Sequence, residues 1–203
     1  MFETFLVFLV FLFSVIIHEI THGFVAEKLG DPTARLAGRL TFNPLVHLDI
    51  FGSIILPLSL FLMSKITGGP GIIFGWAKPV PYNPLNFQNF KKDVIKVALA
   101  GPLINILIAL IFAFIFNLHF FNQPAQQFLA QIVYINLLLG IFNIFPLPPL
   151  DGSKILVLLL PKGKENLLFY LELYGFLFII VFIFLFWPLI NFIVKLIFNF
   201  LIG

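Results

Sequence analysis

The sequence predicts an all-α polytopic membrane protein of about five to six transmembrane or re-entrant helices. Three observations predict it. Hydrophobic residues fill 61% of the 203 positions and charged residues only 10%, whereas a soluble domain is about half apolar and about a quarter charged. Mean hydropathy is +1.09, so the chain cannot cover its own surface with polar groups. Apolar runs also recur at the roughly 20-residue length that crosses a bilayer.

The first run, Thr4 to Leu29, carries His18, Glu19, His22 and Glu27 toward its end. It opens Met1-Phe2-Glu3, without a positive n-region or a small-residue cleavage site, so it is expected to stay in the mature protein. Residues 50–64 are short and broken by Pro57, which suits a re-entrant excursion as well as a span. Residues 65–93 are rich in Gly and Pro and read as turns and short extended pieces. Clear spans follow at 94–117 and 128–145. The run 167–202 is interrupted at Trp187-Pro188, which predicts two helices, or one span and a shorter interfacial piece. One membrane-embedded domain, residues 1–203, accounts for the whole sequence.

Charge placement orients these spans. Lys and Arg gather at Lys28, Arg35 and Arg39, at Lys91, Lys92 and Lys96, and at Lys154, Lys162 and Lys164, while 118–127 has none. Basic loops stay cytosolic, so the first helix runs inward, 94–117 outward and 128–145 inward. Lys65 fits this scheme poorly. The net charge of +3 includes no cluster suited to nucleic acid. The absence of cysteine excludes thiolate metal sites and Cys nucleophiles.

His18-Glu19-Ile20-Thr21-His22 is an H-E-x-x-H motif on a helix. Residues four apart share a helix face, so both imidazoles can hold one zinc ion while Glu19 acts as general base on a water beside it. An ionisable group at the centre of a membrane helix costs at least about 2.5–3.5 kcal/mol, and three neighbouring ones need a purpose. The bland alternative is a polar helix end solvated at the interface. A catalytic zinc takes three protein ligands and keeps one open position. Asp151, in Asn143-Ile144-Phe145-Pro146-Leu147-Pro148-Pro149-Leu150-Asp151-Gly152, is the best third ligand, at the cytosolic end where His18 and His22 also lie. Its alternative is an N-cap for the segment after it. Asn105 and Asn143 sit in apolar helices, where they could bind substrate or the oxyanion, or simply join helices. Ala100-Gly101-Pro102 reads as close packing and a kink. His47 and Asp49 read as an interfacial loop pair in preference to an accessory metal site, and His119 as bland.

H-E-x-x-H in one membrane helix with N-x-x-P-x-x-x-L-D-G in a later one resembles the site-2 protease family of intramembrane zinc metalloproteases. Gly38-Arg39-Leu40-Thr41-Phe42-Asn43-Pro44, Gly75-Trp76-Ala77-Lys78-Pro79-Val80-Pro81 and Ala100-Gly101-Pro102-Leu103-Ile104-Asn105 extend the resemblance over about residues 14–155. It implies one Zn²⁺ per chain on His18, His22 and Asp151, Glu19 as catalytic base, and Asn105 and Asn143 beside the active site. It also implies a small β-like segment near that site in the Gly/Pro-rich region. The form is a short one, without room for a PDZ or cystathionine-β-synthase-like domain. The implied activity is hydrolysis of peptide bonds in or near transmembrane segments, in regulated intramembrane proteolysis, in a prokaryotic cell membrane with the site toward the cytosol. The partners are then membrane-protein substrates and lipid, with no nucleic acid. A metal-ion transporter is the rival: it would use the same ligands along a path, but would spread polar residues through several spans. A pseudoprotease would normally carry a broken motif, and this one is intact.

Overall fold

A computed structural model describes residues 2–55, 58, 59, 62, 63, 66, 77–155 and 173–203. Among these residues the regular structure is entirely helical. The long helices are α1 (Phe2–Lys28), α3 (Phe90–Phe116), α4 (Gln123–Ile144) and α5 (Gly175–Ile202), with a single turn, α2, at Thr33–Leu36. All four are long and apolar enough to cross a membrane. The 27 residues of α1 span about 40 Å, against a hydrocarbon core of about 30 Å. Their outer faces carry exposed Phe5, Phe8, Phe114, Phe184 and Phe200, as lipid requires.

α3 and α4 make the most extensive helix pair, α1 packs across both, and α5 lies mainly against α4. The short link at 117–122 forces α3 and α4 to run antiparallel. Lipid is as apolar as a leucine side chain, so close fit and polar contacts hold such helices together. Ala109 and Ala113 of α3 supply the close fit, against Val133 and Leu137 of α4 and Ile190 and Val194 of α5. Gly140 lets the backbones approach further: a Cβ there would lie 3.0 Å from the Pro102 carbonyl oxygen.

α4 begins about five residues before the expected span. Asn122 caps it by accepting from the Ala125 N–H, and Pro124 fits its first turn. The polar Gln123, Gln126 and Gln127 that read as loop are its first turns. The expected break at Trp187-Pro188 does not occur, since α5 runs unbroken through Pro188. Pro188 withholds one N–H from the ladder, a loss that membrane helices absorb locally. The first residues of the re-entrant candidate, Ile50–Ile55, form a short π-helical stretch; most of 56–76, which holds the rest of it and much of the expected β-like segment, and all of 156–172 lie outside the described residues. The described part of the Gly/Pro-rich region makes one antiparallel bridge, Leu48 to Ala77, with the Lys78 N–H donating to the His47 carbonyl at 2.8 Å.

Asp31 ties this region to the end of α1. Its buried carboxylate accepts from the Thr33 N–H and hydroxyl, the Asn83 N–H at 2.7 Å and the Asn86 amide at 2.6 Å. Burial pushes the carboxyl up, but these hydrogen bonds more than offset it and hold Asp31 below the usual carboxylate range.

Candidate metal centre

α1 presents His18 and His22 one turn apart, both less than a tenth exposed. Their rings meet edge-on, with centroids 4.7 Å apart and Nε2 atoms 3.1 Å apart. Asp151 closes the group, with Oδ2 2.9 Å from His18 Nε2 and 3.2 Å from His22 Nε2. Among the described residues these three form the one group suited to a metal ion.

Asp151 reaches the histidines because α4 ends and the chain folds back on it. The Gly152 N–H donates to the Asn143 carbonyl at 2.8 Å. Gly152 is required by that approach, since a Cβ there would lie 2.0 Å from the Ile144 carbonyl oxygen. The amides an N-cap would serve are already taken. The Ser153 N–H donates to the Leu150 carbonyl and the Lys154 N–H to the Asp151 backbone carbonyl, both at 3.0 Å.

The far side of each imidazole is also held. His22 Nδ1–H donates to the Val97 carbonyl at 2.7 Å, and His18 Nδ1–H to Asn105 Oδ1 at 2.6 Å. Both contacts come from α3, which forms the wall behind the rings. Gly101 makes room for them: a Cβ there would lie 2.4 Å from His22 Nε2 and 2.6 Å from His18 Nε2. The close packing expected at Ala100-Gly101-Pro102 is therefore packing against the site itself.

Glu19 points to the other flank, where its Oε2 accepts from the Val80 N–H at 2.9 Å. Gly23, one turn on, lets Val80, Ala34 and Leu40 close in. A Cβ at Gly23 would meet side-chain carbons of all three at 2.7–2.8 Å. The segment around Val80 thus lies directly beside the carboxylate of Glu19.

The two asparagines separate. Asn105 is fully enclosed, its oxygen on His18 and its NH₂ on Asn136 Oδ1 at 2.8 Å and the Ser14 carbonyl at 3.4 Å. Asn143 is only half-buried and donates to the Leu139 carbonyl of its own helix at 3.0 Å. His47 is buried with Nε2 on the Thr41 carbonyl, while Asp49 accepts from the Gly52 N–H. His119 lies in the exposed turn after α3. Sequence reasoning missed Ser14, Asn136 and the Val97 carbonyl. Ser14 and Asn136 carried a usable signal, being polar residues inside apolar helices; a backbone carbonyl carries none.

Known proteins resemble the chain in sequence. The profile described as Peptidase family M50 matches residues 118–186. A Bacillus subtilis (strain 168) protein named "Putative zinc metalloprotease YwhC" is 36% identical over 193 residues, covering 88% of this chain and 82% of its own. The chain belongs to peptidase family M50. A second relative, zinc metalloprotease MJ0392 of Methanocaldococcus jannaschii, is 24% identical over 155 residues, covering 76% of this chain and 34% of its own length. No solved structure matches the chain. The YwhC match covers most of the chain, whereas the M50 profile match covers Asp151 and leaves out the H-E-x-x-H helix.

Proposed function

We infer that this M50 peptidase is an intramembrane zinc metalloprotease that cleaves peptide bonds in or near transmembrane segments of other proteins. One observation carries the reading. With both Nδ1 protons committed to oxygen acceptors, the two Nε2 lone pairs and a carboxylate oxygen converge within 3.2 Å of one another. Three acceptors that close repel unless a cation lies among them. The edge of a tetrahedral site with ligands at 2.0–2.1 Å is about 3.3 Å, so His18, His22 and Asp151 fit zinc, one ion per chain.

When bound, zinc supplies Lewis acidity that lowers the pKa of a water toward about 7 and polarises the scissile carbonyl. Glu19 takes the proton of the attacking water and returns it to the leaving amine. The Val80 N–H holds its carboxylate toward that task. Asn105 serves best as the support of His18, since both ends of its amide are occupied, and Asn143 remains the candidate donor to substrate or the oxyanion. A helical substrate must unwind locally, because unpaired backbone cannot face lipid. The segment around residues 77–83, beside Glu19, suits a β-like support for the unwound strand. The chain works as a single membrane-embedded domain of five to six spanning or re-entrant helices, with 50–64 as a re-entrant candidate. Lys28, Arg35, Arg39, Lys91 and Lys92 near the site end of α1 and α3 favour cytosolic access in a prokaryotic membrane.

Glu19→Gln tests the proposal with purified protein and a panel of single-span substrates. Zinc content should stay at one per chain while turnover falls by about 10²–10⁴. Wild type that cuts no substrate, yet passes zinc across vesicles in a Glu19-dependent way, would establish the transporter instead.

A further inference from the structure

We propose that Asn136 and Ser14 are positioning residues that set the orientation of the Asn105 amide, and through it the tautomer of His18. The proposal rests on the zinc reading above and adds to it a polar relay reaching from α4 through α1 and α3 to the metal ligand.

The two histidines are oriented by unlike groups. His22 Nδ1 meets the Val97 carbonyl, a backbone oxygen that can only accept. That contact alone puts the proton on Nδ1 and leaves Nε2 free to bind metal. His18 Nδ1 meets a side-chain amide, and an amide can turn over. Turned by 180°, Asn105 would offer its NH₂ to Nδ1, forcing the proton onto Nε2 and removing His18 as a ligand. Something must forbid that turn.

The bonds behind Asn105 forbid it. Its NH₂ donates to Asn136 Oδ1 at 2.8 Å and to the Ser14 carbonyl at 3.4 Å. Asn136 could also turn over, but its own NH₂ donates to the Ile132 carbonyl and to Ser14 Oγ, both at 2.9 Å. The Ile132 carbonyl only accepts, so the Asn136 NH₂ faces it and Oδ1 faces Asn105. Every N–H of both amides then has a partner, and Asn105 has one orientation left. Both asparagines are 0% exposed and Ser14 is 5% exposed, so water is not at hand to satisfy the turned-over form. In that enclosed setting a reversed Asn105 would place its oxygen against Asn136 Oδ1 and the Ser14 carbonyl.

Zinc affinity of the purified full chain, measured by competition with a chromophoric chelator, tests this. Asn136→Leu keeps similar volume and removes the relay, and should weaken zinc about 10–100-fold, the usual worth of a second-layer partner. Ser14→Ala should weaken it less. The deciding comparison is the Asn105→Asp background, where a carboxylate accepts from His18 Nδ1 whichever way it turns. There Asn136→Leu should leave zinc affinity unchanged or improve it. If Asn136→Leu does not fold, Ser14→Ala in the two backgrounds makes the same comparison. Zinc affinity within twofold of wild type in both Asn136→Leu and Ser14→Ala would overturn the relay. So would an equal loss in the two backgrounds, because the effect would then not pass through Asn105. Wild type that binds no zinc would instead overturn the metal reading itself.

Discussion

The two flanks of α1 are built differently, although they belong to the same two turns of helix. On one flank Ser14, His18 and His22 are 5–7% exposed and are held by α3 and α4 through a closed set of buried hydrogen bonds. On the other, half-buried Glu19 is met by one backbone N–H, from Val80, in a segment that is not helical. A metal ligand must keep its lone pair aimed at one point, and packed helices hold it there. A general base must follow a proton from water to the leaving amine, and a substrate has to enter beside it. A lighter hold from an extended segment suits that work.

Two glycines break the comparison most sharply. Gly101→Ala drives a Cβ into both imidazoles and should weaken zinc by about 100-fold or more, with turnover lost alongside. Gly23→Ala, one turn past Glu19, crowds only apolar side-chain carbons. It should cost about 1–3 kcal/mol of stability while zinc stays bound. Metal analysis and thermal unfolding of both variants decide the matter. If Gly101→Ala retains full zinc, the helical wall is not what holds the ligands.

A smaller effect sharpens the Glu19 side. Val80 lies between Pro79 and Pro81 in a segment that is not helical. Val80→Pro removes the N–H that Glu19 accepts. Turnover should fall about tenfold, in keeping with a hydrogen bond to a charged group, at unchanged zinc affinity. Unaltered kcat would mean that Glu19 needs no partner.

The smallest effect concerns Asp31, which anchors the extended segment behind Val80. Its carboxyl is held below the usual range in the folded protein, so it stabilises fully above the unfolded value of about 3.9. That contribution declines as pH falls through the lower folded value. Thermal midpoints of wild type and Asp31→Asn should therefore differ by a constant amount between about pH 5 and 7 and converge below about pH 4. A gap that widens on acidification would contradict the anchor.

Much of this was legible in the residues. His18, Glu19 and His22 declare themselves by helical spacing in an apolar setting. Asp151 follows from its proline-broken helix end. Spans α1, α3 and α4 were visible because lipid demands long apolar runs. The earlier start of α4 was not, because a first turn rich in glutamine looks like loop until Asn122 is seen capping it. Pro188 misled for a related reason: its ring breaks helices in water, where a freed chain has solvent to turn to, and lipid offers none.

Sequence by itself determined the solvent, the residue types of the proposed metal site and their helical spacing, since these depend on composition and on neighbours along the chain. Tertiary structure alone decided which way each amide and imidazole faces. Asn105 looked equally suited to substrate and to helix joining, and only the meeting of Ser14, His18, Asn105 and Asn136 from three helices settles its geometry. Hydrogen-bond direction belongs to the partner as much as to the residue, and these partners are 31 to 122 positions apart in the chain.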